Sequence, residues 1–384
     1  MGGMNETPAG SRIRIAFFGR RNAGKSTLVN AFTGQRLAIV SDVPGTTTDP
    51  VSKAMEILPL GACLITDTAG LDDEGELGAM RVEKSLAVLA AADIAVWVDD
   101  GRAAAADGIE KRFLDECRRR NVTVFRFSRG DDVQELKRKI AAVKTECAAP
   151  ALLDSLASAG DRIVLVCPID ESAPRGRLIL PQQQVIRECL DLHAVCSVCQ
   201  PSELAAVLAS LPPDPLVVTD SQAFGEVRGV LAERAPGARL TSFSILFARQ
   251  KGDLKVFLEG LAAVRNLHDG DTVLIAEGCT HHRQCNDIGS VKIPKAVERL
   301  SGRKLKFVFA SGGDFLPGDG TRFKLIVHCG GCMLTRREVL RRIEAARALG
   351  SAVVNYGILL AAAGGMDSIA ENGLVSPEGR QGCN

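Results

Sequence analysis

The sequence predicts an α/β protein of three domains, and three observations carry that expectation. The first is a short apolar run, residues 13–18, that opens onto Gly19-Arg-Arg-Asn-Ala-Gly24-Lys25-Ser26 and then an apolar stretch, 27–32, suited to a helix. The second is the alternation of short apolar strands with helical patterns along the rest of the 384 residues, which is the rhythm of α/β folds. The third is a pair of Cys/His-rich segments, Cys279-Thr-His281-His282-Arg-Gln-Cys285 and His328-Cys329-Gly-Gly-Cys332, each following a strand. Open α/β sheets carry their sites at such strand ends. The expected organisation is a polar, Gly-rich flexible N-terminus at 1–10, a first domain at 11–160 closing in an Ala-rich linking helix over 147–160, a second at 161–270 and a third at 271–384.

Bulk composition narrows the function. Charge is balanced, with 47 Lys+Arg against 46 Asp+Glu, so no basic surface points to nucleic acid. Aromatic content of 4% leaves no stacking platform for single strands. No apolar run reaches the roughly 18 residues needed to span a bilayer, and the N-terminus lacks a signal-peptide apolar core. The expectation is a soluble cytoplasmic protein with neither nucleic acid nor membrane as partner. In a reducing compartment its twelve Cys read as metal or redox ligands, or as small core residues, before they read as disulfides.

The glycine-rich turn fits G-x-x-x-x-G-K-[ST] between a strand and a helix. Backbone amides from Gly19 through Asn22, Ala23 and Gly24 to Thr27 would cradle a β-phosphate at the helix N-terminus. Lys25 would reach the β- and γ-phosphates, and the Ser26 hydroxyl would bind magnesium. Asp42-Val-Pro-Gly-Thr46-Thr47-Thr48-Asp49 follows as a hydroxyl-rich loop, then a strand over 62–66 ending in Asp67-Thr-Ala-Gly70. Asp67 can hold magnesium through water, and the Gly70 amide can sense the γ-phosphate. Together these motifs resemble the translation-factor-like branch of small P-loop GTPases. That resemblance implies GTP and GDP as ligands, Thr46 and Thr47 as the switch, Thr47 as a second magnesium ligand, and Asn22 as a potassium ligand. It makes Lys25, Thr47, Asp67 and Gly70 the catalytic set.

The GTPase pattern then shortens. A base-reading Asn-Lys-x-Asp is missing from its usual place after the strand at 94–98. Read as that loop, Phe127-Ser-Arg-Gly-Asp131 keeps only Asp131, as an acceptor for guanine N1 and N2. Read as the later Ser-Ala loop with its helix, running to Lys137, it means that the base-reading strand is deleted. The deletion is the favoured alternative.

The middle region, with strands at 162–166 and 216–219, has no nucleotide fingerprint. It reads as a spacer or oligomerisation platform. Its Cys196-Ser-Val-Cys199 is a candidate redox or metal pair, and His193 and His268 stand alone as structural residues. In the last region, strands at 272–276, 305–310 and 322–327 precede a helix over 335–349 whose Arg336, Arg337, Arg341 and Arg342 read as a solvated face. Soft thiolates and imidazoles grouped as they are here select zinc, copper or iron–sulfur. Structural zinc closes with four ligands, whereas Cys279-x-His281 and His328-Cys329-x-x-Cys332 offer five. Three thiolates, Cys279, Cys329 and Cys332, would leave one iron of a four-iron cluster open.

These Cys/His segments behind a GTPase and a middle domain resemble the HydF family, the maturation GTPases of FeFe-hydrogenase. The phrases Asp67-Thr-Ala-Gly-Leu-Asp-Asp-Glu-Gly-Glu-Leu-Gly78, Gly176-Arg-Leu-Ile-Leu-Pro181 and Asp287-Ile-Gly289 extend the likeness over nearly the whole chain. The resemblance implies GTP-binding, dimerisation and cluster-binding domains. It also implies a four-iron four-sulfur cluster on the three Cys, with an exchangeable fourth ligand. His281, His328, Cys285 and Asp287 are all candidates for that position. The implied role is a homodimeric scaffold with slow GTP turnover. It receives a di-iron precursor made with two radical-SAM maturases and hands it to apo-hydrogenase. The alternatives are a tRNA-modification or ribosome-assembly GTPase with a C-terminal zinc site, and a pseudo-GTPase with weak guanine selectivity.

Overall fold

The computed structural model describes residues 9–34, 50–72, 75–101, 108–143, 150–169, 178–278, 288–312, 315–316, 321–331, 334–365 and 374. The chain separates into two compact units, 1–148 and 149–384.

The first unit runs β1 (Ile13–Gly19), α1 (Lys25–Thr33), β2 (Val51–Ile57), β3 (Gly61–Asp67), α2 (Gly75–Ala91), β4 (Ile94–Asp99), α3 (Ile109–Arg119), β5 (Thr123–Ser128) and α4 (Val133–Ala141). Its sheet has the order β2-β3-β1-β4-β5. Only β2 is antiparallel to its neighbour. Because side chains alternate along a strand, central β1 feeds two cores. Ile15 and Phe17 pack with Leu28, Val29 and Phe32 of α1 and with Leu136 and Ile140 of α4. Ala16 and Phe18 pack with Leu89 of α2 and Phe113 and Cys117 of α3.

The placement of α4 bears on the shortened motif. A helix continuing the right-handed progression from β4 to β5 would lie with α2 and α3. α4 lies on the α1 face instead and closes the sheet, and no sixth strand is paired to β5 among the described residues. This is the arrangement expected when the base-reading strand is missing.

The second unit begins at 149, and the linking helix expected over 147–160 is not formed in its described part. Residues 152–156 are turns. Ser155 takes φ 60°, which interrupts a helix. The Glu188 carboxylate binds the amides of Leu152 and Leu153. Leu152, Leu153 and Leu156 are buried in the core of the sheet that follows.

That sheet is built from β6 (Arg162–Val166), α5 (Leu180–Asp191), β7 (Val195–Cys199), α6 (Leu204–Ala209), β8 (Leu216–Thr219), α7 (Phe224–Arg234), β9 (Arg239–Ser242) and α8 (Phe243–Lys251). All its pairings are parallel, in the order β7-β6-β8-β9. The Cys196-x-x-Cys199 pair lies in β7, where residues three apart face opposite sides. Cys196 packs beside Cys189 in one core and Cys199 against the other. A shared metal at this pair is therefore ruled out by the strand geometry. β7 is an edge strand, and its Val195 and Val198 are exposed.

The last sheet follows α9 (Leu254–Val264). It comprises β10 (Thr272–Glu277), α10 (Ile293–Ser301), β11 (Lys306–Ser311), β12 (Leu325–His328), α11 (Arg336–Ala348), β13 (Ala352–Asn355) and α12 (Tyr356–Ala363). Its order is β11-β10-β12-β13, again parallel. β10 and β12 are neighbours, with Ala276 opposite His328. The ends of β10 and β12, which precede the two Cys/His segments in sequence, therefore lie side by side. The arginine run on α11 is not a solvated face. Arg342 is fully buried, with Nε donating to Glu338 Oε1 at 2.8 Å and Nη2 to Gly312 O at 2.7 Å.

Candidate nucleotide and metal sites

The phosphate loop joins β1 to α1. Gly24 caps α1 at φ 92° and supplies no side chain to its first turn. First-turn amides of a helix are donors that an anion can satisfy. Asn22 sits exposed at φ 59° and Thr27 is exposed one turn on. Lys25 is buried, its Nζ donating to Arg20 O at 2.7 Å and Gly19 O at 3.3 Å. Ser26 Oγ donates to Asp67 Oδ2 at 2.6 Å. The other oxygen, Asp67 Oδ1, is buried with no hydrogen-bond partner among the described residues. Burial pushes the Asp67 carboxyl above its usual range, against the opposing pull of the Ser26 hydroxyl and Lys25. A desolvated carboxylate with an orphaned oxygen beside a serine hydroxyl suits a hydrated divalent cation.

The Asp67–Gly70 segment lies directly on the phosphate loop. Leu71 N donates to Gly19 O at 3.2 Å, Thr68 Oγ1 to Phe17 O at 2.7 Å, and Arg21 N to the Asp72 carboxylate. A Cβ on Gly70 would meet Arg21 N at 2.8 Å and Arg21 Cα at 2.9 Å, so only glycine allows this approach. Arg20, inside the loop and missed in the sequence, is buried 3.6 Å from Asp100 at the end of β4. Thr46 and Thr47 lie outside the described residues. Asp131 closes its own turn, with Oδ2 accepting from Ser128 N at 2.7 Å.

In the second unit, Gly278 N donates to Cys329 Sγ at 3.1 Å. This bond ties the residue before Cys279 to the first thiol of Cys-Gly-Gly-Cys. Amide-to-sulfur bonds of this kind are the outer-shell support that thiolate ligands receive. His328 is fully buried. Its Nδ1 lies 2.7 Å from Cys329 O, and Nε2 has no hydrogen-bond partner among the described residues. Burial lowers its pKa to about 4, so the imidazole is neutral at pH 7 and offers a lone pair. Cys279, His281, Cys285, Asp287 and Cys332 lie outside the described residues. Among the described residues no three His, Cys, Asp or Glu gather as a metal site. The neutral imidazole and the amide-supported thiol fit an iron–sulfur group as donor chemistry. Lys251 and Arg336, neither foreseen from the sequence, bracket this loop. Lys251 Nζ donates to Gly331 O at 3.1 Å and Leu334 O at 2.9 Å, and Arg336 Nη1 to Gln250 O and Gly252 O.

The sheet order, the phosphate loop and the apposed Asp67–Gly70 segment define a P-loop GTPase domain followed by two further α/β modules. Residues 14–128 match the family of 50S ribosome-binding GTPases, 152–252 the hydrogen maturase F dimerization domain, and 255–370 the hydrogen maturase F tetramerization domain. The chain belongs to the HydF family of hydrogenase maturases. The GTPase match ends at Ser128, the last residue of β5. GTPase Der of Campylobacter hominis is 38% identical over 100 residues, which are 26% of this chain and 22% of Der. The tRNA modification GTPase MnmE of Moorella thermoacetica is 40% identical over 109 residues, 28% of this chain and 23% of MnmE. The chain thus spans about a quarter or less of the length of these curated relatives. Among solved structures, Era of Aquifex aeolicus bound to GDP·AlF4− aligns with TM-score 0.27 and 15% identity, over 78% of this chain and 92% of Era. Toc33 of Arabidopsis thaliana with Mg2+ and GMPPNP aligns with TM-score 0.24 and 20% identity, over 33% and 57%.

Proposed function

We propose that the chain is a slow GTPase that acts as a homodimeric scaffold. It holds a four-iron four-sulfur cluster on Cys279, Cys329 and Cys332. It receives a di-iron precursor from two radical-SAM maturases and delivers it to apo FeFe-hydrogenase. The observation that carries this reading is the Gly278 N–H bond to Cys329 Sγ at the shared end of β10 and β12. It supports the reading because it ties the residue before Cys279 to Cys329, far apart in sequence. The work divides between a GTP-binding region to residue 160, a dimerisation region at 161–270 and a cluster region from 271. Leu152, Leu153 and Leu156 pack in the core of the second region.

In the nucleotide site, the first-turn amides of α1 and Lys25 hold the β- and γ-phosphates. Ser26 and Thr47 would hold magnesium, with Asp67 supporting it, and Asn22 would hold potassium. Gly70 offers its backbone amide to the γ-phosphate, and its contact with Arg21 transmits the loss of that phosphate to the phosphate loop. In the cluster region, the three thiolates bind and the Gly278 amide orients. One of His281, His328, Cys285 or Asp287 takes the remaining position. The bound cluster supplies an iron whose last ligand exchanges. The exposed edge of β7, with Val195 and Val198, suits pairing with a second copy.

Weak guanine selectivity is a second reading, favoured by Asp131. Its carboxylate is engaged in its own turn, and β5 pairs directly with β4.

Anaerobic reconstitution with iron and sulfide, followed by metal analysis and EPR of the reduced protein, tests the main reading. The expected result is about four irons per chain with a reduced-cluster signal, both largely lost in Cys329→Ser. Bound zinc without iron uptake, or co-purifying RNA, would replace it with the RNA-linked alternative.

A further inference from the structure

We propose that Lys251 is a positioning residue for the metal-binding loop. Its buried ammonium holds the carbonyls of Gly331 and Leu334 and offsets the negative charge of the thiolates in the proposed cluster site. The inference rests on the cluster reading above and adds to it a residue from outside both ligand segments.

Lys251 is the last residue of α8 and only 4% exposed. Burying an ammonium is costly unless its donors are satisfied. Here Nζ donates to the carbonyls of Gly331 and Leu334, and it lies 5.4 Å from the Phe247 ring centre. Those carbonyls bracket Cys332 on either side. The tie is reciprocal. From the start of α11, Arg336 Nη1 reaches back to the carbonyls of Gln250 and Gly252 at the end of α8. Two cationic side chains thus cross in opposite directions between α8 and the ligand loop. α8 belongs to the region matching the dimerization domain, and the loop to the region matching the tetramerization domain.

The carbonyls that Lys251 binds are neutral dipoles, so its positive charge is not cancelled by them. Inside the protein such a charge acts over a longer range than it would in water. Cysteine thiolates around an iron–sulfur group carry net negative charge, and nearby charge is one of the levers that set its potential. A fixed cation here favours retention of the group and of its reduced form.

The test uses the full chain in three forms: wild type, Lys251→Met, and Lys251→Arg, which keeps the charge. In apoprotein of unchanged circular dichroism, the amides of residues 329–331 in Lys251→Met are expected to exchange hydrogen several-fold faster than in wild type, a readout that does not depend on thiol ionisation. After anaerobic reconstitution, Lys251→Met is expected to lose iron to a chelator several-fold faster than wild type. Its cluster potential, followed by EPR, is expected to move to more negative values. Lys251→Arg is expected to restore the potential and part of the retention. If Lys251→Met does not fold, Lys251→Arg carries the exchange comparison, again with faster exchange expected. Equal exchange overturns the positioning role without reference to iron. Equal potentials in Lys251→Met and wild type overturn the charge role. Wild-type protein that takes up no cluster overturns the reading of the site, while the exchange result still decides the clamp.

Discussion

Asp67 shows how one buried side chain couples stability to ligand binding. Its carboxyl is pushed up by burial, so the ionised form that a cation needs is the form the fold disfavours. A carboxyl raised in the folded state contributes stability below its unfolded pKa, and that contribution is lost as pH rises through the folded pKa. Asp67→Asn keeps an acceptor for the Ser26 hydroxyl and removes the charge. The apoprotein is therefore expected to melt at the same or a higher temperature than wild type at pH 8, with the gap narrowing as pH falls toward the ordinary carboxyl value of 3.8. Magnesium-dependent nucleotide affinity should fall on the order of 10- to 100-fold, as for other groups that support a metal. A variant that is less stable at pH 8 would show that the carboxylate is held by favourable contacts and not merely desolvated. The phosphate loop was legible in the sequence because its residues are contiguous and their spacing is itself the mechanism. Lys251 was not, since its role exists only once α8 is packed beside a loop about eighty residues away in sequence.

Elements were legible to differing degrees, for reasons that can be named. Parallel strands buried on both faces read as continuous apolar runs, so β6, β8 and β10 were evident. The pairs β9–α8 and β13–α12 were not. Each runs from strand to helix with no Gly or Pro between. The turn is made by a single capping side chain, Ser242 accepting from Ile245 N and Asn355 accepting from Gly357 N. The linking helix, expected from alanine content, failed because Leu152, Leu153 and Leu156 serve the core from turns, with Ser155 at φ 60°. At β5 and α4 the sequence left two alternatives, and the face on which α4 packs favours the shortened one. The nucleotide pocket then has no base-reading loop after β5. On the reading of weak guanine selectivity, GTP and ATP are expected to bind within a few-fold of each other in a calorimetric titration with magnesium. A preference for GTP of 100-fold or more, on the scale that buried polar recognition gives, would mean that Asp131 leaves its turn to read guanine.

At the scale of the whole molecule, the phosphate loop and the ligand loop belong to separate compact units. Lys25→Ala is therefore expected to lose GTP hydrolysis while keeping wild-type iron content and EPR signal after reconstitution. Loss of iron in that variant would mean that the two sites share more than a chain. The fold class and the order of motifs were open to sequence reasoning because each module announces itself in a contiguous stretch. The geometry of the ligand loops was not, because it depends on which strands are neighbours. That neighbourhood has a consequence in time. β10 is central in its sheet, and the chain leaves it for β11 on one side before returning as β12 on the other. While the protein is being synthesised, the first ligand segment emerges well before its counterpart. The amide of Gly278 meets the sulfur of Cys329 only after β12 has found its place. Small zinc modules are folded by their metal, but here the sheet must come first. On the proposed cluster reading, loading with iron is expected to be a late event, open to a finished protein and closed to a nascent one.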